Sequence, residues 1–382
     1  MALLQRSWYG TQDAASIWQD DYAGLLAENG YVAGKSNPAI FWNRDQDSRR
    51  LVHGDDFVCL GDAAAVAHLD GVLTGKYACK EMYVIGFEAA DDQKAIFLNR
   101  SISIDGGTGS VVYEPDERHV QEIIRDMGLA TGGKAQAPSG KRRHDELEGI
   151  LHSADLDPQR ATRFRSNVMR AAYLGQDRPD IAEPVKCLTQ LMHKPNEDGW
   201  CELKKLARYL AAGPKARWTY GPQRDMTKLT ATVDSDFAGC LRTRKSTTGL
   251  ITRVGRYVVK TASNLQSTVS LSSGESEYYA LVKGAATALG VQALMADWGW
   301  PTWISLESDS SAARAFASRR GLGRLRHVQV RFLWLQDRIK AEHLKLQAIA
   351  GAANPADVLT KPTSATRLAE VLSGLSLTTL AS

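Results

Sequence analysis

The chain has 382 residues, 43% hydrophobic and 24% charged, the make-up of an ordinary folded protein with room for two or three cores. A net charge of +4 permits nucleic-acid binding without demanding it, because binding depends on where basic residues cluster. Three features point to an intracellular protein, in the cytoplasm (or a virus-like particle) or the nucleus, with no membrane partner: no apolar run approaches the ~20 residues that span a bilayer, the start Met1-Ala2-Leu3-Leu4-Gln5-Arg6-Ser7-Trp8 lacks a signal pattern, and Cys59, Cys79, Cys187, Cys201 and Cys240 form no Cys-x-x-Cys pair.

In chain order, Leu51-Val52-His53-Gly54-Asp55-Asp56-Phe57-Val58-Cys59-Leu60 reads as two short strands around a Gly-Asp-Asp turn. Residues 76–135 read as strand-rich, with a helix near Asp116–Met127. The stretch Gly132-Gly133-Lys134-Ala135-Gln136-Ala137-Pro138-Ser139-Gly140-Lys141-Arg142-Arg143 is a linker. Residues 160–212 read as two packed helices. Ile181, Val185, Leu188 and Met192 mark one, Leu203, Leu206 and Leu210 the other, and the default reading is a structural spacer.

From residue 226 the pattern changes. Leu229–Val233 predicts a strand, and Gly249–Val254 with Arg256–Thr261 a hairpin joined at Gly255. A long helix follows over Ser273–Trp298, then a strand at Trp303–Glu307 and helices at Ser311–Ser318 and Val328–Lys340. The series ends with a strand at Leu344–Ile349 and a helix opening near Pro355. That order predicts an α/β fold, a mixed five-stranded sheet flanked by helices.

Four acids sit at informative places in this last segment. Asp234 ends the first strand, Glu277 lies one turn into the long helix, Asp309 follows the fourth strand, and Asp357 opens the final helix. Functional groups of α/β sheets gather beyond the carboxyl ends of strands, and clustered carboxylates suit hard divalent cations. Taken singly, each has a plainer reading as a turn former, a helix cap or a solvated helix acid. Glu275 and Asp236 compete with Glu277 and Asp234.

The blocks Asp234-Ser235-Asp236-Phe237-Ala238-Gly239, Arg244-Lys245-Ser246-Thr247-Thr248-Gly249 and Leu271-Ser272-Ser273-Gly274-Glu275-Ser276-Glu277-Tyr278-Tyr279-Ala280-Leu281 come in that order. Ser308-Asp309-Ser310, His327-Val328-Gln329-Val330-Arg331 and Asn354-Pro355-Ala356-Asp357-Val358-Leu359-Thr360-Lys361-Pro362 continue the series. Together they resemble the ribonuclease H of copia-type retrotransposon Pol polyproteins over essentially all of 226–362. The resemblance implies an RNase H-like fold and a Mg²⁺ site of two ions, with Mn²⁺ as a substitute. It implies Asp234, Glu277, Asp309 and Asp357 as catalytic metal ligands, with Asp234 bridging both ions, and cleavage of the RNA strand of RNA–DNA hybrids made of element RNA and cDNA. Cellular members carry a mobile histidine before the last Asp; here that loop is Ala350-Gly351-Ala352-Ala353.

Upstream, Trp8-Tyr9-Gly10-Thr11-Gln12-Asp13-Ala14-Ala15, Trp18 and His53-Gly54-Asp55-Asp56-Phe57 resemble the reverse transcriptase palm. Asp55 and Asp56 would be its metal-binding pair. Nothing before Trp8 supplies the third Asp or the fingers, so a truncated polymerase, inactive by itself, is expected. The resulting plan is a partial palm over 1–75, palm end, thumb and linker over 76–155, a helical connection over 156–225, ribonuclease H over 226–362 and a C-terminal helix or tail over 363–382. Arg242, Arg244, Lys245, Ser246, Arg324, Arg326, His327 and Arg331 are candidate nucleic-acid contacts, with Arg319 and Arg320 in the same basic stretch. Two other readings stay open: a polymerase fragment that works only in a full polyprotein, and a nucleic-acid-binding relic without catalysis.

Overall fold

The computed structural model describes residues 10–80, 82–88, 90–135, 137–139, 153–323 and 326–380. Trp8, Tyr9, Arg324 and the linker residues 136 and 140–143 lie outside the described residues. Two compact units divide the chain, Met1–Met82 with Gly290–Thr302, and Tyr83–Leu289 with Trp303–Ser382.

In the first unit, α1 (Ala14–Glu28) precedes a four-stranded antiparallel sheet ordered β1-β2-β3-β4: β1 (Val32–Ala33), β2 (Ile40–Asn43), β3 (Ser48–His53) and β4 (Asp56–Leu60). α2 (Ala63–Thr74) follows, capped by the Asp62 carboxylate accepting from the Ala65 N–H at 2.8 Å. Tyr22, Leu26, Tyr31, Phe41, Val52, Leu69 and Leu73 form its core. The strand–turn–strand reading of 51–60 holds. Gly54 takes φ +64° at the tip, where glycine pays no steric cost.

The second unit contains two five-stranded sheets. One is antiparallel and ordered β14-β8-β7-β6-β5, from β5 (Ala95–Phe97), β6 (Arg100–Asp105), β7 (Ser110–Glu114), β8 (Lys215–Tyr220) and β14 (Leu377–Leu380). The tail expected after residue 362 therefore ends as a strand paired with β8, Leu377 opposite Trp218. Among the described residues this half includes the helices α3 (Arg118–Asp126), α4 (Pro158–Leu174), α5 (Pro179–Thr189) and α6 (Glu197–Ala212). The described stretch 158–212 thus holds three helices where the sequence suggested two. α4 is announced by Asp157, whose carboxylate accepts from the Gln159 and Arg160 N–H groups, and by Pro158 in the first turn. Its apolar stripe of Phe164, Val168 and Ala171 is hidden among arginines.

The other sheet is ordered β11-β10-β9-β12-β13, from β9 (Lys228–Ser235), β10 (Thr247–Val254), β11 (Tyr257–Leu265), β12 (Trp303–Ser308) and β13 (Leu344–Ala348). β9, β10 and β11 are antiparallel; β12 runs parallel to both β9 and β13. The chain is thus α/β with the expected mixed five-stranded sheet. α7 (Ser273–Asp297), whose residues from Gly290 on fall in the first unit, α8 (Ser311–Ser318), α9 (Trp334–Lys340) and α10 (Ala365–Gly374) accompany it. α7 is 25 residues long and by length and composition apolar enough to cross a membrane, contrary to the sequence reading. It is packed as a core helix: Tyr278, Leu281 and Ala285 are buried, and a Cβ at Gly284 would lie 2.6 Å from Val233 Cγ1. The helix expected at Pro355 is a short 3-10 turn, Pro355–Leu359. Pro362, with no N–H to donate, keeps it from continuing, and α10 starts afresh at its Ser364 cap.

On the sheet face away from α7, one continuous hydrophobic core joins Phe164, Ile181, Val185, Leu203 and Trp218 to Ile251, Val258, Val358, Leu359 and Leu372. The helical stretch and the mixed sheet share it.

Candidate active site

Strand alternation delivers Asp234. Leu229, Ala231 and Val233 are buried on the α7 side, so Thr230, Thr232 and Asp234 face the opposite way. Opposite Asp234 on β10 stands Gly249, where a Cβ would lie 2.6 Å from the Ala356 carbonyl oxygen. Glycine lets the 355–359 turn, with Asp357, settle over the strand end. Asn354 pins that turn, its amide donating to the Val233 carbonyl at 3.0 Å and its oxygen accepting from the Ala356 N–H at 3.0 Å.

The start of α7 is held by a reciprocal cap. The Ser272 hydroxyl accepts from the Glu275 N–H at 3.2 Å, and the Glu275 carboxylate accepts from the Leu271 N–H at 2.9 Å. Gln266 ties this first turn to the sheet. Its amide donates to Ser235 Oγ, Thr248 Oγ1 and the Ser276 carbonyl at 3.1, 3.0 and 2.9 Å.

These elements bring together Asp234, Glu277 and Asp309, each offering a carboxylate oxygen within 4.8 Å of the others. Asp357 acts on Asp234 electrostatically and pairs with Lys361 at 2.7 Å. The Thr360 hydroxyl donates to Asp234. One Glu277 oxygen accepts from the Ser235 N–H at 3.3 Å, while Oε2 is buried with no hydrogen-bond partner. Burial, then the charges of Asp234 and Asp309, push the Glu277 carboxyl up to about 8. Burial pushes Asp234 up to about 6; Asp357 adds to the rise and the Thr360 hydroxyl opposes it.

Glu275 and Asp236 are engaged elsewhere. Glu275 accepts from the Tyr279 hydroxyl at 2.6 Å and lies 2.8 Å from His327 Nε2. Asp236 accepts from the Thr247 N–H. A divalent cation fits the first cluster on chemical grounds. The donors are all carboxylate oxygens, one of them buried without a partner, and their mutual repulsion lacks a full counter-charge.

Arg242 and Arg244 are exposed and Lys245 half-buried on the loop between β9 and β10; Arg326, His327 and Arg331 are exposed ahead of α9. Ser246 departs from the expected surface contact. It is fully buried, and its hydroxyl accepts from the Ala238 N–H at 3.0 Å, bracing the loop from within. Asp55 and Asp56 sit exposed at the β3–β4 tip, where the Trp18 indole N–H donates to the Gly54 carbonyl at 2.7 Å. Among the described residues no third His, Cys, Asp or Glu joins them as a metal-binding group. Sequence reasoning passed over Asn354, Thr360 and Lys361, although all three stand in the closing block it singled out. Gln266, a lone polar residue after β11, left no signal.

No family model matches the chain. It is 22% identical to the retrovirus-related Pol polyprotein from transposon TNT 1-94 of Nicotiana tabacum, over 94% of this chain and 27% of that protein. It is 24% identical to the retrovirus-related Pol polyprotein from transposon RE2 of Arabidopsis thaliana, over 94% of this chain and 24% of that one. The chain thus spans about a quarter of the length of these curated relatives. Among solved structures it is similar to a foamy viral protease-reverse transcriptase in complex with dsDNA, with a TM-score of 0.45 and 13% identity over 91% of this chain and 60% of that chain.

Proposed function

We propose, from a chain whose relatives are copia-type retrotransposon Pol polyproteins, that the 226–362 segment is a ribonuclease H that cuts the RNA strand of RNA–DNA hybrids, formed from the element's RNA and cDNA. The observation that carries this reading is the gathering of Asp234, Glu277 and Asp309, with Asp357 beside them, at the carboxyl ends of the adjacent parallel strands β9 and β12. Asp234, Glu277, Asp309 and Asp357 would hold two Mg²⁺ ions, or Mn²⁺ in their place, and the bound ions supply the Lewis acidity that phosphodiester hydrolysis draws on.

The remaining work falls to the chain's own side chains. The Thr360 hydroxyl holds the Asp234 carboxylate in one rotation. Lys361 balances Asp357 and lowers the cost of crowding four acids. Arg242, Arg244 and Lys245 on the loop between β9 and β10, and Arg326 and Arg331 ahead of α9, offer cations to the phosphates of a duplex, an attraction that weakens as salt rises.

The test is cleavage of a labelled RNA–DNA hybrid by the full chain, with and without Mg²⁺. Asp234→Asn should abolish cleavage while largely sparing hybrid binding, because the basic side chains stay in place. Full cleavage by that variant overturns the assignment.

A further inference from the structure

By sequence α5 is a spacer; its side chains reach the loop between β9 and β10. Lys186 has only 11% of its side chain exposed, and its ammonium donates to Thr247 Oγ1 at 2.8 Å. Thr247 opens β10, and its N–H donates to the Asp236 carboxylate, two residues past Asp234. At the end of the same helix, Gln190 Oε1 accepts from Cys240 Sγ at 3.0 Å, at mid-loop. A buried ammonium carries a desolvation cost and is retained where acceptors hold it. The 236–246 loop needs such holding. Ala238 and Arg244 take left-handed φ values of +54° and +55°, a conformation that side-chain-bearing residues keep only when their surroundings impose it, and Phe237 lies half exposed. Below the loop, Ile181, Val185 and Leu188 of α5 share a core with Ile251, Val258, Val358 and Leu359, which underlie β10, β11 and the turn bearing Asp357.

We infer that α5 is a working part of the nuclease site: Lys186 and Gln190 are positioning residues that staple the 236–247 loop, setting Arg242 and Arg244 beside the carboxylates. This rests on the ribonuclease H reading. Lys186, at the root of the loop, governs the geometry next to Asp234. Gln190, farther out, governs the basic side chains.

The experiment compares Lys186→Met, Lys186→Arg and Gln190→Leu in the full chain. Amide exchange over 236–247 should quicken about tenfold in Lys186→Met, the factor that a hydrogen bond to a charged group carries, while 158–174 keeps wild-type protection. Hybrid cleavage by Lys186→Met should need more Mg²⁺ for half-maximal rate, a shift that a mere loss of folded protein does not produce, and Lys186→Arg should restore most of it. Gln190→Leu should raise KM for the hybrid roughly threefold with kcat little changed; should Lys186→Met not fold at the assay temperature, this variant carries the test. Unchanged exchange, or quickened exchange with wild-type cleavage and Mg²⁺ dependence, overturns the inference alone. A wild-type chain that cuts no hybrid overturns the nuclease reading and this inference together.

Discussion

Glu275 and Glu277 show what a single residue's sequence context can decide. They stand two apart on α7, so their side chains leave the helix on different faces, and only the packing of that helix selects between them. The structure turns Glu275 toward Tyr279 and His327, and Glu277 toward Asp234 and Asp309. The Glu277 environment has a measurable consequence. Its carboxyl rises from an ordinary 4.5 to about 8, so without a cation the folded chain binds a proton that the unfolded chain has released. Stability is then fully present below about 4.5 and declines as pH rises toward 8; Asp234, raised to about 6, adds to the decline. In EDTA the melting temperature should fall between about pH 5 and pH 8, Mg²⁺ should flatten that fall, and Glu277→Gln should remove most of it. The same slope in Glu277→Gln would count against this origin.

At the scale of elements, the strand–hairpin–helix–strand order of 228–308 was legible because β9 alternates apolar and polar residues and α7 is a long run of good helix formers, rich in alanine and leucine. The 355–359 turn was not. Pro355 suggests a helix start, yet the segment's shape is decided by its seat on Gly249, which no local pattern reveals. Gly249→Ala should destabilise the chain by roughly 1–3 kcal/mol, since the new methyl meets backbone at Ala356 and must displace the turn. Gly290→Ala supplies the contrast. It lies inside α7 with nothing within 4 Å of the added carbon, so it should stabilise by about 0.5–1 kcal/mol. Urea midpoints of the two variants should move in opposite directions.

Across the whole second unit, tertiary pairings escaped the sequence. β8 and β14 are 157 residues apart from Tyr220 to Leu377 yet neighbours in one sheet, and four residues at the chain's end carry no periodic signature of their own. Truncation after Gly374 should bare the β8 edge, lower the melting temperature and promote association visible by gel filtration. The shared core escaped detection for a similar reason, because α5 and α6 show apolar stripes without saying what lies opposite. That core bears on how a longer precursor could be trimmed. A protease that released the connecting helices from the mixed sheet would have to part Ile181 and Val185 from Ile251 and Leu359, which share one core. Light trypsin digestion should accordingly leave one resistant fragment spanning both halves, and a free fragment of 226–362 accumulating first would show that the two come apart as separate bodies.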